Sequence, residues 1–127
     1  MTEIHSLGRI NIKILEIEYG KLRTDEIIIT DERMEHIKER HAEDYLLFEK
    51  YGKASVNSPD IIIKDTKKEG TVFMIKKLPE TNLNVVVRVA LEREDSRLKN
   101  SVITFYRVRE KNLQKLIKKH DLLYKTE

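Results

Sequence analysis

Cysteine and tryptophan are absent from this chain of 127 residues, and it holds only two prolines and four glycines. Without cysteine there is no disulfide framework and no thiolate metal site, so nothing ties the protein to an oxidising compartment and a cytoplasmic setting is expected. The glycines are too scattered to cradle a nucleotide, and P-loop, GxGxxG, GxSxG and DxDxDG patterns are all missing. ATP-driven or dinucleotide-dependent chemistry is therefore not expected, and no cofactor is. No apolar run approaches the roughly 20 residues that cross a bilayer. Met1 to Arg9 also lacks the apolar core of a signal peptide, so a soluble protein with no membrane partner is expected.

What the chain has is charge. Charged residues make up 37% of it yet nearly cancel to +3, with a pI near 9.0, a balance that permits a phosphate-bearing partner without requiring one. Basic residues cluster in Lys64 to Lys68, Lys76-Lys77, Arg107 to Lys111 and Lys115 to Lys119, whereas acids concentrate from Asp25 to Glu49. Any one cluster is explained as a solvated face; only convergence on one groove makes a nucleic-acid footprint. The apolar fraction of 39% suffices for one core, so residues 1–127 are expected to form a single domain.

Gly8 to Tyr19 alternates Ile10, Ile12 and Ile14 with Asn11 and Lys13, which favours a strand, although Leu15 and Ile17 also fit a short helix. Glu26 to Ile29 reads as a second short strand. Thr30 can cap a helix with Asp31 and Glu32 in its first turn, and the helical pattern runs to about Tyr51, with Gly52 placed to end it. Beyond Ser58-Pro59-Asp60 the period changes. Ile61 to Lys64, Thr71 to Lys77, Leu83 to Leu91 and Ser101 to Val108 are β-rich runs in succession, which implies an antiparallel meander. Arg109 to His120 closes with Leu113, Leu116, Ile117 and His120 at helical spacing. The expected fold is α+β: an N-terminal strand or hairpin and a long helix packed on a four-stranded antiparallel sheet, with a C-terminal helix.

On one continuous helix, Met34, Ile37, His41, Tyr45 and Phe48 form a single inward stripe, while His36 and Arg40, at i and i+4, project together from an adjacent face. An imidazole desolvated between apolar neighbours near a guanidinium tends to be neutral, and neutral imidazole is a usable general base. The alternative is a hydrogen-bonded core histidine at His41 and a surface one at His36. A metal is not expected, because positions i and i+5 diverge by about 140° on a helix and no HExxH is present.

Arg88 is the charged residue of an otherwise apolar strand; it is either a solvent-facing charge or a bidentate phosphate ligand that stabilises a pentacovalent transition state. Strand alternation puts Thr104 and Tyr106 on one face and Ser101, Phe105 and Arg107 on the other. These residues pack well in any sheet, but a hydroxyl there can position a phosphate and Tyr106 can stack on a base.

The order of short motifs resembles a family. His-Ile-x-x-Arg-His on a helix is followed by Ser-Pro-Asp before a strand, Val-Val-Val-Arg, Asn-Ser-Val-Ile-Thr and a terminal Leu-Leu-Tyr. Over about Ile27 to Tyr124 the chain is similar to the phage-associated barnase/EndoU/colicin/RelE-like (PBECR) nuclease domains. The resemblance implies helices followed by a four-stranded antiparallel sheet, and metal-independent RNA cleavage by attack of a ribose 2'-OH on the adjacent phosphate. It also implies a toxin of a phage or mobile element. It places the helix histidine at His41 with His36 and Arg40 beside it, the strand cation at Arg88, and the hydroxyl at Thr104 or Ser101. Expected catalytic residues are then His41, His36, Arg88 and Thr104, with Arg40, Lys76, Ser101 and Tyr106 contacting RNA. The expected partners are RNA, tRNA among the candidate targets, and a cognate inhibitor protein. The rival readings are a non-catalytic nucleic-acid-binding module and a protein-interaction module of a mobile element.

Overall fold

In the computed structural model, which describes residues 3–91 and 99–126, the chain alternates between strands and helices around one sheet. Strand β1 (Ile4–Arg9) leads to helix α1 (Ile12–Tyr19) and β2 (Glu26–Thr30). Helices α2 (Asp31–Arg40) and α3 (Ala42–Asn57) follow, then β3 (Ile61–Lys64), β4 (Thr71–Lys77), β5 (Asn82–Arg88) and β6 (Asn100–Val108). Helix α4 (Glu110–Lys119) and β7 (Asp121–Lys125) complete the described chain.

The expected meander β3 to β6 is present and antiparallel throughout, at the centre of a wider sheet ordered β1-β2-β6-β5-β4-β3-β7. The α+β class holds, but the sheet has seven strands, and β2 runs parallel to β6 through Ile27–Asn100 and Ile28–Ser101. Two long helices and three strands separate β2 from β6, so no hairpin dictates their relative direction. Terminal β7 adds to the outer edge of β3, from Lys64–Asp121 to Ile61–Lys125.

Two expected elements differ. The strand favoured from Gly8 to Tyr19 divides into β1 and the helix α1, because the Asn11 side chain accepts a hydrogen bond from the Lys13 amide and starts a helix that buries Leu15. The long helix ending at Gly52 is instead two helices that meet at His41, and α3 runs past Gly52 to Asn57. Gly52 serves packing, not termination: a β-carbon there would lie 2.8 Å from the Phe48 ring. That ring stacks on Phe105 at 3.9 Å between centroids, nearly parallel at 7°.

The sheet has two covered faces. Leu83, Val85, Val87, Met74 and Ile62 meet Leu15 of α1, Ile37 of α2 and Phe48 and Val56 of α3. On the reverse, Ile61, Ile63, Phe73, Ile75, Val86 and Val108 pack with Leu113, Leu116 and Ile117 of α4. Helix α4 crosses diagonally, from the end of β6 to the end of β3, where His120 meets Thr66. Among the described residues no helix is long and apolar enough to cross a membrane.

Candidate functional site

The register of β5 against β6 slips by one residue: Val86 faces Thr104, but Val87 faces Val102, which leaves Ile103 as a bulge. This slip re-aims part of β6. Ser101, expected on the face opposite Thr104, becomes the partner of Arg88 and joins Thr104 and Tyr106 on the α4 side of the sheet. Paired α-carbons on neighbouring strands are only about 5 Å apart, so Arg88 and Ser101 are immediate neighbours across β5 and β6. Arg88, Ser101, Thr104 and Tyr106 are all half-buried.

The β3–β4 turn shapes the end of this patch. Asp65 donates its amide to the Thr71 carbonyl, Thr71 pairs with Arg88, and Arg88 pairs with Ser101, so one row runs from the β3–β4 turn across β4, β5 and β6. Gly70, at φ +80°, packs its backbone against the Arg88 guanidinium, whose Nη1 donates to the Val89 carbonyl. Tyr19 lies within the field of the same group. Burial above all, then Glu18 and Asp65, pushes its hydroxyl up to about 12, while Arg88 pulls it down.

Asn84 and Tyr106 form a second feature, with no signal in the sequence beyond an amide within an apolar strand. Asn84 is fully buried, its Nδ2 donates to the Tyr106 hydroxyl at 3.1 Å, and its Oδ1 has no partner among the described residues. Because the Tyr106 oxygen accepts from Asn84, its own proton is left to donate elsewhere.

Helix α2 flanks the patch. Thr30 caps it by accepting from the Arg33 amide, as expected, and Met34 and Ile37 pack into the core. Lys38 lies over the Tyr45 ring of α3. Arg33, His36 and Arg40 fall on the helical stripe turned away from α3, all exposed, and α2 packs against β6 as well as β2. The β2–β6 pairing described ends at Ser101, so α2 lies beside the part of β6 that carries Thr104 and Tyr106.

His41 is corrected from the inward stripe to an exposed corner. Its amide donates to the Ile37 carbonyl and its carbonyl accepts from Tyr45, so its backbone closes one helix and opens the next while the imidazole projects into solvent. The desolvation argued for it from a continuous helix is absent. Lys76 lies on the opposite face, donates to the Ser58 carbonyl at 2.8 Å and sits 3.8 Å from Asp60, so it ties α3 to β4. Among the other basic clusters, Arg107 is held at 2.6 Å by Asp44 and 2.7 Å by Glu43, and its hydrogen bond to Asp44 raises it further above its ordinary value. That pair borders a cleft of about 820 Å³ on the helix-covered face.

His120, the fourth histidine, is a packing residue: its side chain is 6% exposed, its Nδ1 accepts from the Thr66 amide at 3.2 Å, and its ring meets Phe73 edge-on. Glu3, His5 and Asp31 place ligating atoms within 4.8 Å of one another. They lie at the start of α2, where the helix dipole disfavours a cation, and His5 is already bonded to Asp31 at 2.6 Å.

Charge separates the two sides of the molecule. From Asp31 to Lys50 seven acids outnumber four basic residues, whereas Arg109 to Lys119 carries five basic residues and the single acid Glu110. The α4 side, which also bears Arg88, therefore presents the potential that attracts a polyanion.

The family model of phage-Barnase-EndoU-ColicinE5/D-RelE like nucleases matches residues 4–125. The chain belongs to this nuclease family. Its substrate class is accordingly nucleic acid. No curated protein and no solved structure matches the chain.

Proposed function

We propose that this nuclease is a metal-independent endoribonuclease, a toxin-type enzyme of a phage or mobile element, acting on RNA at the sheet face that carries Arg88, Ser101, Thr104 and Tyr106. The observation that supports this most is the bulge at Ile103, which brings the Ser101 hydroxyl to the sheet face that carries Arg88, Thr104 and Tyr106.

The scissile phosphate is held by Arg88 and by the Ser101 and Thr104 hydroxyls, with Arg40 approaching from α2. A base removes the proton of the ribose 2'-OH, the 2'-oxygen bonds to phosphorus, and the bond from phosphorus to the 5'-oxygen breaks. The products are a 2',3'-cyclic phosphate and a 5'-hydroxyl that takes a proton from an acid. His36 and His41, on and at the end of α2 where it packs along β6, are the histidines suited to those two transfers. Arg88 opposes the negative charge that builds on the pentacovalent phosphorus, a contribution of a kind worth ~3–4 kcal/mol. The Tyr106 proton, freed by Asn84, adds a donor to the same oxygens. Cytoplasmic action and a cognate inhibitor follow from a toxin role.

Incubating the purified protein with RNA in EDTA tests the reading: fragments ending in 2',3'-cyclic phosphate are expected, and RNA that is bound but intact from pH 5 to 8 would defeat it.

A further inference from the structure

The outward stripe of α4 is a row of cations. Lys111, Lys115 and Lys118, at i, i+4 and i+7, lie opposite the buried Leu113 and the partly buried Leu116 and Ile117; all three lysines are exposed and have no ion-pair partner among the described residues. At the end of the helix Lys119 meets Lys67 of the β3–β4 turn, and Lys68 beside it is exposed. Close contact with Lys67, and its like charge, hold Lys119 below the ordinary lysine value. Two cations pressed together on a surface are relieved by an anion. The same turn, after Glu69, ends at Gly70, whose backbone touches the Arg88 guanidinium, so it links the end of α4 to the proposed scissile phosphate.

We infer that α4 and the β3–β4 turn form a track for the sugar-phosphate backbone of single-stranded RNA, entering over Lys111, Lys115 and Lys118 and descending past Lys119 and Lys67 to Arg88. The track rests on the ribonuclease reading for the identity of its ligand. The choice of a single strand comes from the shape. A helix with its side chains is about 10–12 Å across, so a stiff duplex lying on the lysine ridge is held off the sheet floor, whereas a flexible strand bends down to it. The floor beside Arg88 offers Val86, Ile103 and Tyr106, apolar and aromatic surface against which unpaired bases pack.

The test is a salt titration of binding to a short 2'-O-methyl oligoribonucleotide, which lacks the attacking hydroxyl and so cannot be cut by this chemistry. Wild type is compared with Lys111→Gln/Lys115→Gln/Lys118→Gln, with Lys67→Gln/Lys119→Gln, and with Lys50→Gln/Lys53→Gln on the exposed side of α3 as a control. Each lost phosphate contact flattens the slope of log K against log salt by about 0.7 for a single strand, so the triple variant should lose roughly two units of slope. At low salt its affinity should fall at least about tenfold, with the control unchanged. A triple variant with the wild-type slope overturns the track, as does tighter binding of a blunt RNA duplex than of the single strand. Because binding is read without cleavage, a protein that uses the ridge yet leaves cleavable RNA intact refutes the enzyme and keeps the track.

Discussion

The Arg88 guanidinium occupies the space that Gly70 leaves open: a β-carbon on Gly70 would collide with Nη1 and lie 2.7 Å from Cζ of Arg88. Gly70 also has φ +80°, a conformation that costs other residues about 1–2 kcal/mol. Gly70→Ala should therefore lower stability by roughly that amount and displace the cation as well. At a temperature where the variant is fully folded, kcat/KM on RNA should still fall at least tenfold, about 1.4 kcal/mol of transition-state stabilisation. A variant that loses stability alone would show that the position of Arg88 is immaterial.

Asn84 should display a conflict between stability and activity. Its buried, unpartnered Oδ1 carries a desolvation cost of about 1–3 kcal/mol. Asn84→Leu, of similar volume, should thus leave Tm unchanged or raised while reducing kcat several-fold, because Tyr106 loses its orienting donor. Tyr106→Phe should reduce kcat comparably, and the double variant no further than the worse single. Additive losses in a double-mutant cycle would separate the two residues functionally.

His36 and His41 are exposed, so replacing them tests chemistry with little interference from folding. Either alanine variant should unfold within about 1 °C of wild type and lose roughly 10²-fold or more in kcat, the usual worth of a general acid or base. Full activity in one of them would remove that histidine from the proton transfers.

Tyr19 predicts an alkaline signature. Its folded hydroxyl is raised from 10.0 to about 12, chiefly by burial. A raised folded value means that the unfolded chain releases this proton first, so its contribution to stability is complete below pH 10 and is lost as pH rises towards 12. Tyr19→Phe should flatten the fall in denaturation midpoint across that window. An unchanged alkaline limb would indicate a solvated hydroxyl.

The central strands, the Thr30 cap and the C-terminal helix are legible in the sequence, because alternation, capping and helical spacing are local. The sites of disagreement are nonlocal. Whether Gly52 ends a helix or makes room for a ring depends on Phe48 and, through it, on Phe105 from a strand far along the chain. The break at His41 follows from α2 packing on β2 and β6 while α3 crosses β4 and β5. Within the candidate site, strand composition and alternation point to Arg88, Thr104 and Tyr106. Ser101 was assigned to the wrong face, because a one-residue bulge reverses alternation without marking the sequence. Lys76 and Arg107 read as free cations until Ser58, Asp60, Asp44 and Glu43 are brought to them.

The most direct measurement is single-turnover RNA cleavage in EDTA by wild type, Arg88→Ala and Thr104→Val, with Lys53→Gln on α3, across the sheet from α4, as control. The account predicts 2',3'-cyclic phosphate products from wild type and control at equal rates, about 10²–10³-fold slower cleavage with Arg88→Ala, and a smaller loss with Thr104→Val. Wild-type rates from folded Arg88→Ala and Thr104→Val would contradict it and place the chemistry elsewhere on the molecule.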